Sequence, residues 1–288
     1  MTRPAITTAA ETRMTPRSIL ITGCSSGIGW ASAKVMKARG WRVLATARKP
    51  EDLARLEAEL GVEPLPLELA DQASIIACAR EALERTGGQL DALFNNAAYG
   101  QPGAVEDLPP YVLARQLEVN VVGTHALTRA VIPAMRVSGG GRIVNCSSVL
   151  GVVAVPWRGA YCASKFALEA LTDAMRIELS GSGIRVSLIE PGPIRSRFVE
   201  AALAAAKASI DITGSVHAER YQRMLASLEA GGKQTFKLEP EAVAAKLVHA
   251  VESSRPRARY PVTVPAHAAG VLKRLLPTRV LDRLAAKG

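Results

Sequence analysis

Short apolar strands alternate with helices along most of this chain of 288 residues. The first unit is a strand over Ser18–Thr22, followed by a glycine-rich turn and a helix from about Ile28 to Arg39. Strands separated by helices of about ten or more residues form parallel sheets that are covered by helices on both faces. The pattern therefore predicts an α/β fold, a Rossmann-type doubly wound parallel sheet.

The same alternation continues to Pro191. The predicted strands cover residues 42–47, 62–69, 92–95, 142–147 and 185–190, and the predicted helices cover 50–60, 72–86, 110–137 and a stretch that ends near 181. Beyond Pro191 the segment 194–238 is rich in Ala and has no clear periodicity. A long irregular segment in a compact domain is often a lid over a binding site. A helix over 240–253 and a strand over 259–264 complete the predicted elements.

These elements predict a single domain over residues 17–265, with a substrate lid at 194–238. Residues 1–16 are predicted to be a flexible polar tail, and 266–288 a basic, amphipathic helical extension with a break at Pro277. The stretch 255–288 holds eight Lys and Arg residues and one Asp, so it carries +7 of the net charge of +10. Such a helix has two interpretations: it lies on a membrane surface, or, more commonly, it packs on its own domain or on another subunit.

Composition and charge argue against several classes of protein. The basic residues carry no interleaved aromatic residues and no nucleic-acid module signature, so we expect no nucleic-acid partner. No apolar run reaches the roughly 18 residues of a spanning helix, and the first residues lack the apolar core of a signal peptide. The cysteines show no metal-ligand spacing and no disulfide framework, so we expect no metal and a reducing, cytoplasmic location. They are Cys24, Cys78, Cys146 and Cys162.

Polar and glycine-containing segments follow several predicted strands directly. They are the glycine-rich turn, Asn95-Asn96, Ser148 and Pro191-Gly192. Parallel sheets bind ligands at the carboxyl ends of their strands, so these segments are expected to meet at one edge.

The glycine-rich turn has the spacing Thr22-Gly23-x-x-x-Gly27-x-Gly29. Glycines let the backbone approach a pyrophosphate, and the helix N-terminus offers free N–H groups to that anion. No acidic residue follows the second strand, where Arg48 stands instead. A carboxylate there would bind the ribose hydroxyls of NAD, whereas an Arg can bind a 2′-phosphate. The sequence predicts a preference for NADP(H), with NAD(H) the alternative because an Arg could stack on adenine in either cofactor.

Tyr161 and Lys165 are four residues apart on a predicted helix and therefore share one face. Free Tyr has a pKa of about 10, and a neighbouring ammonium favours its ionised form. Ser148, thirteen residues before Tyr161, offers a hydroxyl that can hold a carbonyl oxygen. This grouping suits proton transfer to an oxygen while a hydride is transferred to carbon.

In these motifs the chain resembles the short-chain dehydrogenase/reductase family over about residues 17–198. The matching motifs are Thr22-Gly23-x-x-x-Gly27-x-Gly29, Asn95-Asn96-Ala97-Ala98, Asn120, Ser148, Tyr161-x-x-x-Lys165 and Pro191-Gly192. Two positions depart from the family pattern: Ala98 replaces a Gly, and Glu68 stands where an Asp is common.

The resemblance implies a seven-stranded parallel sheet and an oxidoreductase acting on CH–OH groups. It implies that Tyr161 is the general acid or base, that Lys165 lowers its pKa and holds the nicotinamide ribose, that Ser148 orients the substrate oxygen, and that Asn120 keeps a water linked to Lys165. The expected cofactor-binding residues are Gly23, Ser25, Ser26, Gly27, Ile28, Gly29, Arg48, Leu69, Asn96, Tyr161, Lys165, Pro191, Gly192 and Ile194. Relatives are usually homodimers or homotetramers.

The substrate is less constrained by the sequence. The stretch 149–157 is apolar, and Tyr99 and Trp157 are expected to border the pocket beside Ser148 and Tyr161, although Trp157 could equally be a packing residue. With the long lid and tail, this resembles family members acting on steroids, retinoids and long-chain aldehydes, and it favours a lipophilic ketone or aldehyde. The alternatives are a 3-oxoacyl-thioester reductase and a catalytically silent dinucleotide-binding regulator.

Overall fold

Seven parallel strands form the centre of the structure, a computed structural model that describes residues 16–229 and 235–286. The strands are β1 (Ser18–Ile21), β2 (Arg42–Ala47), β3 (Glu63–Pro66), β4 (Ala92–Asn95), β5 (Gly141–Cys146), β6 (Ile184–Glu190) and β7 (Arg259–Pro261). The helices are α1 (Gly27–Ala38), α2 (Pro50–Leu60), α3 (Gln72–Arg85), α4 (Pro110–Leu117), α5 (Thr124–Val137), α6 (Gly159–Glu178), α7 (Phe198–Ser209), α8 (Ala218–Glu229), α9 (Glu241–Glu252), α10 (Val264–Leu275) and α11 (Thr278–Ala285). The predicted tail over residues 1–16 lies, apart from Pro16, outside the described residues.

The strand order is β3-β2-β1-β4-β5-β6-β7, and every neighbouring pair is parallel. The chain runs outward from β1 to β3 and then returns to β4 on the other side of β1. A crevice forms at this reversal, at the carboxyl ends of the strands, where open parallel sheets bind ligands. The predicted doubly wound, seven-stranded fold is confirmed.

The first strand shows how the two faces of the sheet are filled. Ile19 and Ile21 belong to one core layer, which includes Met36 of α1 and Leu247 of α9. Leu20 points to the opposite face and belongs to the layer that includes Leu127 of α5. Because neighbouring strand residues point to opposite faces and both faces are covered, the strand is apolar throughout.

The predicted helix over residues 110–137 is one continuous run with a wider central turn. A π-helix at Glu118–Gly123 joins α4 to α5. Such turns interrupt the regular hydrogen-bond ladder and are common near functional sites. Asn120, one of the predicted site residues, is buried within it.

The predicted lid contains two helices, α7 and α8, before residues 230–234, which lie outside the described part of the chain. The sequence shows no clear periodicity here. Alanine is the strongest helix former, so an Ala-rich segment can be helical without a regular apolar stripe.

The C-terminal region differs from the sequence prediction at its start. The last strand ends at Pro261 rather than at residue 264, because Thr263 caps α10 by accepting a hydrogen bond from Ala266 N. Ala266 and Ala269 are buried, and Lys273 Nζ lies 4.4 Å from the ring centroid of Phe166, so α10 packs on the domain. The predicted boundary at residue 266 therefore falls inside this helix. Across residues 16–229 and 235–286, none of the helices combines the length and apolar character needed to cross a bilayer.

Candidate active site

A cleft of about 2460 Å³ opens at the carboxyl ends of the strands and continues beneath α7, α8, α10 and α11. Pockets for a single small molecule are about 300–1,000 Å³. The cleft therefore has room for a dinucleotide and a second ligand. The predicted site residues in its wall are Gly23, Ser25, Ser26, Gly27, Ile28, Arg48, Leu69, Asn96, Tyr99, Ser148, Trp157, Tyr161, Lys165, Pro191, Gly192 and Ile194.

The turn between β1 and α1 depends on its glycines. Gly23 and Gly27 have φ angles of +72° and +56°, in the left-handed region that favours glycine. Gly29 lies behind the cleft wall, and a Cβ added there would lie 2.1 Å from Gly23 O. Ser26 is the N-cap of α1 but makes no side-chain capping hydrogen bond, so the first N–H groups of the helix are available to an anion.

Polar side chains from neighbouring strands hold this turn in place. Thr22 Oγ1 accepts hydrogen bonds from the N–H groups of Asn96 and Ala97, each at 2.9 Å. Asn96 Nδ2 donates to Thr22 O and Gly23 O at 2.9 and 3.2 Å. Thr46 Oγ1 accepts from Gly23 N at 3.2 Å. Asn96, predicted as a cofactor-binding residue, therefore supports the turn through its own hydrogen bonds. Thr46 is a supporting residue that the sequence motifs did not identify.

One part of the cleft is lined by the residues at the carboxyl end of β2. Arg48 lies there with 75% of its side chain exposed, and its Nη1 is 3.7 Å from Glu68 Oε2. Arg48 and Lys49 are the cations in this part of the wall, and the next acids, Glu51 and Asp52, lie in the first turn of α2. The uncapped helix N-terminus, the crowded glycine turn and these cations fit the phosphates of a dinucleotide.

Three other predicted cofactor-binding positions are closely packed. Leu69 is buried, and a Cβ added at Gly123 would lie 2.0 Å from its carbonyl oxygen. A Cβ at Gly192 would lie 2.0 Å from Thr263 Oγ1, so only glycine allows α10 to start at this point. Ile194 pairs with Leu238 in a single bridge at the base of the lid.

Helix α6 carries Tyr161 and Lys165 on one face, facing the loop that contains Ser148. Lys165 Nζ donates to Cys146 O at 2.8 Å and lies 5.7 Å from the ring centroid of Tyr161. Ser148 Oγ accepts a hydrogen bond from Leu150 N at 3.1 Å, which leaves its hydroxyl proton free to donate. The structure thus brings together three of the four residues predicted to be catalytic.

Burial dominates the titration of this group. It raises the pKa of the Tyr161 hydroxyl, while the Ser148 hydroxyl and the Arg158 guanidinium lower it. Burial also lowers the pKa of the Lys165 ammonium, against the opposing effects of Cys146 and Glu169. That Lys165 lowers the pKa of Tyr161 stays a prediction. The ammonium of Lys165 is directed at the backbone carbonyl of Cys146.

Asn120 lies behind the cleft wall, and its side-chain amide is hydrogen-bonded to other protein groups. Its Nδ2 donates to Tyr99 O at 2.9 Å and to Ser164 Oγ at 3.1 Å, and its Oδ1 accepts from Tyr99 N at 3.2 Å. The side chain therefore ties the loop after β4 to α6. That Asn120 keeps a water beside Lys165 stays a prediction.

Trp157 both lines the cleft and packs beneath the lid. Its φ angle of +65° is unusual for a bulky residue. Its ring makes edge contacts with His217 and Tyr221, with centroids 5.3 Å apart in both cases. Trp157 thus borders the cleft and is also a packing residue, and its contact with a substrate stays a prediction.

Two cleft residues were missed by sequence reasoning. The ring of Phe198, at the start of α7, lies 5.4 Å from that of Tyr161. Arg158 lies three residues before Tyr161 in the same wall. Their only sequence signal was proximity to recognised motifs.

Comparison with known proteins adds independent evidence. The family described as short chain dehydrogenase matches residues 17–207. The "Uncharacterized oxidoreductase YbbO" of Escherichia coli is 43% identical over 268 residues, covering 93% of each chain. "17-beta-hydroxysteroid dehydrogenase type 1" of Homo sapiens is 36% identical over an alignment of 256 residues that covers 84% of this chain and 76% of that protein.

Two solved structures share the fold and hold a nicotinamide cofactor. A short chain dehydrogenase/reductase from Burkholderia phymatum, in complex with NAD, is 26% identical with a TM-score of 0.77, over 91% of this chain and 92% of that one. A variant of actinorhodin polyketide ketoreductase, with NADPH, is 28% identical with a TM-score of 0.71, over 86% of this chain and 95% of that one. From the family match, these relatives and the shared fold, the chain belongs to the short chain dehydrogenase family of oxidoreductases.

Proposed function

We propose that the protein is an NADP(H)-dependent oxidoreductase that interconverts a lipophilic ketone or aldehyde and the corresponding alcohol. The observation that carries the proposal is the shared cleft. Ser148, Tyr161 and Lys165 form one part of its wall, and the glycine turn after β1 forms another. A cofactor bound on the turn would extend toward these three side chains.

The side chains supply the proton chemistry. A nicotinamide bound in the cleft would supply the hydride for the carbonyl carbon in reduction and would take up the hydride from the alcohol carbon in oxidation. Tyr161 donates its hydroxyl proton to the substrate oxygen during reduction, and its phenolate takes that proton back during oxidation. Ser148 donates a hydrogen bond to the same oxygen. Lys165 places a positive charge beside the developing phenolate.

The cofactor preference rests on the residues that follow β2. A 2′-phosphate carries negative charge that Arg48 and Lys49 can bind, whereas a carboxylate in their place would repel it. Because Arg48 is largely exposed, it can turn from Glu68 toward such a phosphate.

The substrate class rests on the apolar part of the wall. This part includes Val149, Leu150, Val153, Val155, Phe198 and Leu272. Sites of this kind bind lipophilic ligands and orient them through a few polar groups. The Homo sapiens relative is named for a hydroxysteroid, a lipophilic alcohol, which agrees with this proposal by analogy.

The test is NADPH and NADH consumption with a panel of aliphatic, aromatic and steroidal carbonyl compounds, for the wild type and Tyr161→Phe. We expect faster turnover with NADPH and a loss of kcat on the order of 10²–10⁴-fold in the variant, because general acid–base catalysis typically contributes that much. Fluorescence titration should show that the variant still binds NADPH. Tyr111→Phe is the matched control, since Tyr111 is 70% exposed at the cleft rim. NADPH binding without consumption across the panel would instead favour a dinucleotide-binding regulator.

A further inference from the structure

Arg158 is a charged residue in the substrate part of the cleft that the proposed chemistry does not use. It is the N-cap of α6, lies three residues before Tyr161, and is half-buried. Its backbone is held on both sides: its carbonyl accepts a hydrogen bond from Cys162 N at 2.8 Å, and the residue forms a bridge with Gly103. The side chain is thus anchored at a defined point in the wall.

The guanidinium of Arg158 makes no hydrogen bond or ion pair with any of residues 16–229 and 235–286. Other partly buried arginines among the described residues are paired with acids. Arg42 lies 2.6 Å from Glu63, and Arg259 lies 2.6 Å from Asp173. Removing an Arg charge from water without a partner is costly. Burial accordingly lowers the pKa of the Arg158 guanidinium. An unpaired cation in a ligand cleft is suited to an anion brought by the ligand.

The surroundings favour an anion on the substrate rather than on the cofactor. The residues just before Arg158, from Val152 to Trp157, line the same cleft and carry no charge. The cofactor turn follows β1 and Arg48 follows β2, whereas Arg158 lies between β5 and α6. Of the acids in the cleft wall, Glu200 is paired with Arg197 at 3.2 Å, Glu51, Asp52 and Glu68 lie near the end of β2, and Asp282 lies on α11. Among the residues that the structure describes, no carboxylate lies within 4 Å of the Arg158 guanidinium to compete with a ligand.

We propose, resting on the function proposed above, that the substrate is an anionic amphiphile: an apolar chain with a carbonyl group and an oxoanion, held by Arg158. A carboxylate or a phosphate has oxygens that match the planar fork of a guanidinium, which binds them through two parallel hydrogen bonds. The chain would lie along the apolar wall, with its carbonyl at Ser148 and Tyr161.

The test compares matched substrates that differ only in charge. The probes are 9-oxononanoate, its methyl ester and 9-oxononyl phosphate, with six-carbon homologues to vary the reach. Rates of NADPH oxidation give kcat/KM for the wild type, Arg158→Gln, Arg158→Lys and the control Arg220→Gln, which removes an exposed charge from the lid side of the cleft. The anion is identified by the probe, carboxylate or phosphate, whose kcat/KM falls more in Arg158→Gln.

We expect the wild type and Arg220→Gln to prefer an anionic probe over the ester by about 10–100-fold, in line with a charge-assisted hydrogen bond. Arg158→Gln should lose that preference while keeping its rate on the ester within about threefold, and Arg158→Lys should retain part of it. If Arg158→Gln lost kcat/KM equally on the ester and on the anionic probes, and its pH profile shifted, Arg158 would act through Tyr161. That result would overturn the proposal. So would a wild type that does not distinguish the probes.

A second measurement separates this proposal from the proposed function. Calorimetry with NADP⁺ present measures binding of 9-oxononanoate and 9-oxononyl phosphate without turnover. Binding by the wild type and Arg220→Gln that is at least tenfold weaker in Arg158→Gln supports the anion site even if no probe is reduced. Equal binding by a folded Arg158→Gln variant, checked by circular dichroism, would reject it.

Discussion

Tyr161 stands where burial raises the pKa of its hydroxyl, while Ser148 and Arg158 act in the opposite direction. In the free protein the phenol is therefore protonated at neutral pH, which is the form that reduction needs. The rates of reduction and oxidation should therefore differ in how they depend on pH.

We expect the rate of carbonyl reduction to be nearly constant from about pH 6 to 9. Alcohol oxidation needs the phenolate, so its kcat/KM should rise with pH by up to about tenfold per unit below the pKa of Tyr161. Initial rates in both directions over this range, with buffer and ionic strength fixed, measure the two profiles. Oxidation that slows as pH rises would contradict the assigned role of Tyr161.

Gly29 offers a second test at the residue scale, through the shape of the cofactor turn. The variant Gly29→Ala places a Cβ 2.1 Å from Gly23 O, so the turn must open. We expect weaker NADPH binding, by tenfold or more, and a lower Tm.

The control for Gly29→Ala is Gly270→Ala, because a Cβ at Gly270 in α10 meets nothing within 4 Å. Replacing a helix-interior glycine by alanine typically stabilises a protein by about 1 kcal/mol. This control should therefore keep NADPH binding and raise Tm slightly. Fluorescence titration and thermal melts report both quantities, and unchanged NADPH affinity in Gly29→Ala would contradict the assignment of the turn.

At the scale of elements, the lid helix α8 is held on the domain by a small set of contacts beside the cleft. Tyr221 is fully buried, touches Trp157, and its hydroxyl accepts a hydrogen bond from Ala104 N at 2.7 Å. His217 Nε2 lies 2.5 Å from Glu106 Oε1. The contacts of α8 and of the residue before it thus include two ring contacts with Trp157 and polar contacts with Ala104 and Glu106.

The variant Tyr221→Phe should loosen α8 selectively. It leaves Ala104 N–H without its partner, which costs about 1–3 kcal/mol for a buried group. Hydrogen exchange followed by mass spectrometry should show faster exchange in peptides from 210–229 and unchanged exchange in the sheet. Tyr111→Phe, at an exposed position, should change neither. Equal exchange in the lid peptides of Tyr221→Phe and the wild type would show that this hydrogen bond does not hold the lid.

For the molecule as a whole, Arg259 on β7 joins acids from two other elements. Its Nη2 lies 3.1 Å from Glu169 Oε2 and 2.6 Å from Asp173 Oδ2, both on α6. Its Nε lies 3.1 Å from Glu190 Oε1, without the alignment of a hydrogen bond. Burial, with Glu169 nearby, raises the pKa of Glu190 to about 7.

The raised pKa makes stability depend on pH. A Glu in the unfolded chain has a pKa of about 4.3, so between this value and about 7 the folded protein binds more protons at Glu190 than the unfolded one. This carboxyl therefore lowers the free energy of unfolding as pH rises through that window.

The variant Glu190→Gln should remove this fall in the free energy of unfolding, which is on the order of a few kcal/mol between pH 5 and 8. Urea unfolding at both pH values, for wild type and variant, isolates the difference. Arg259 keeps two acidic partners in the variant, and Glu239→Gln, at an exposed ion pair, is the control. An identical change of stability with pH in wild type and Glu190→Gln would show that Glu190 is not the titrating group.

Much of the fold and part of the site follow from signals that act over a few residues. The spacing of Gly23, Gly27 and Gly29 predicts the turn and the helix after it, and Pro50 and Gly61 set the ends of α2, where Gly61 has a φ of +61°. The four-residue spacing of Tyr161 and Lys165 places both on one face of α6. Such signals depend on backbone sterics and helical periodicity, which the local sequence contains.

The sequence by itself determined the strand–helix alternation, the edge of the sheet where polar segments meet, and the residues on one helix face. Only the tertiary structure decided that Arg158 stands in the cleft with no partner among the described residues, that the Asn120 amide is hydrogen-bonded to Tyr99, and that burial raises the pKa of Tyr161. The physical reason is the distance along the chain over which each interaction acts. Turns and helix faces are set by neighbours along the chain, whereas desolvation and pairing depend on groups that packing brings together from distant segments.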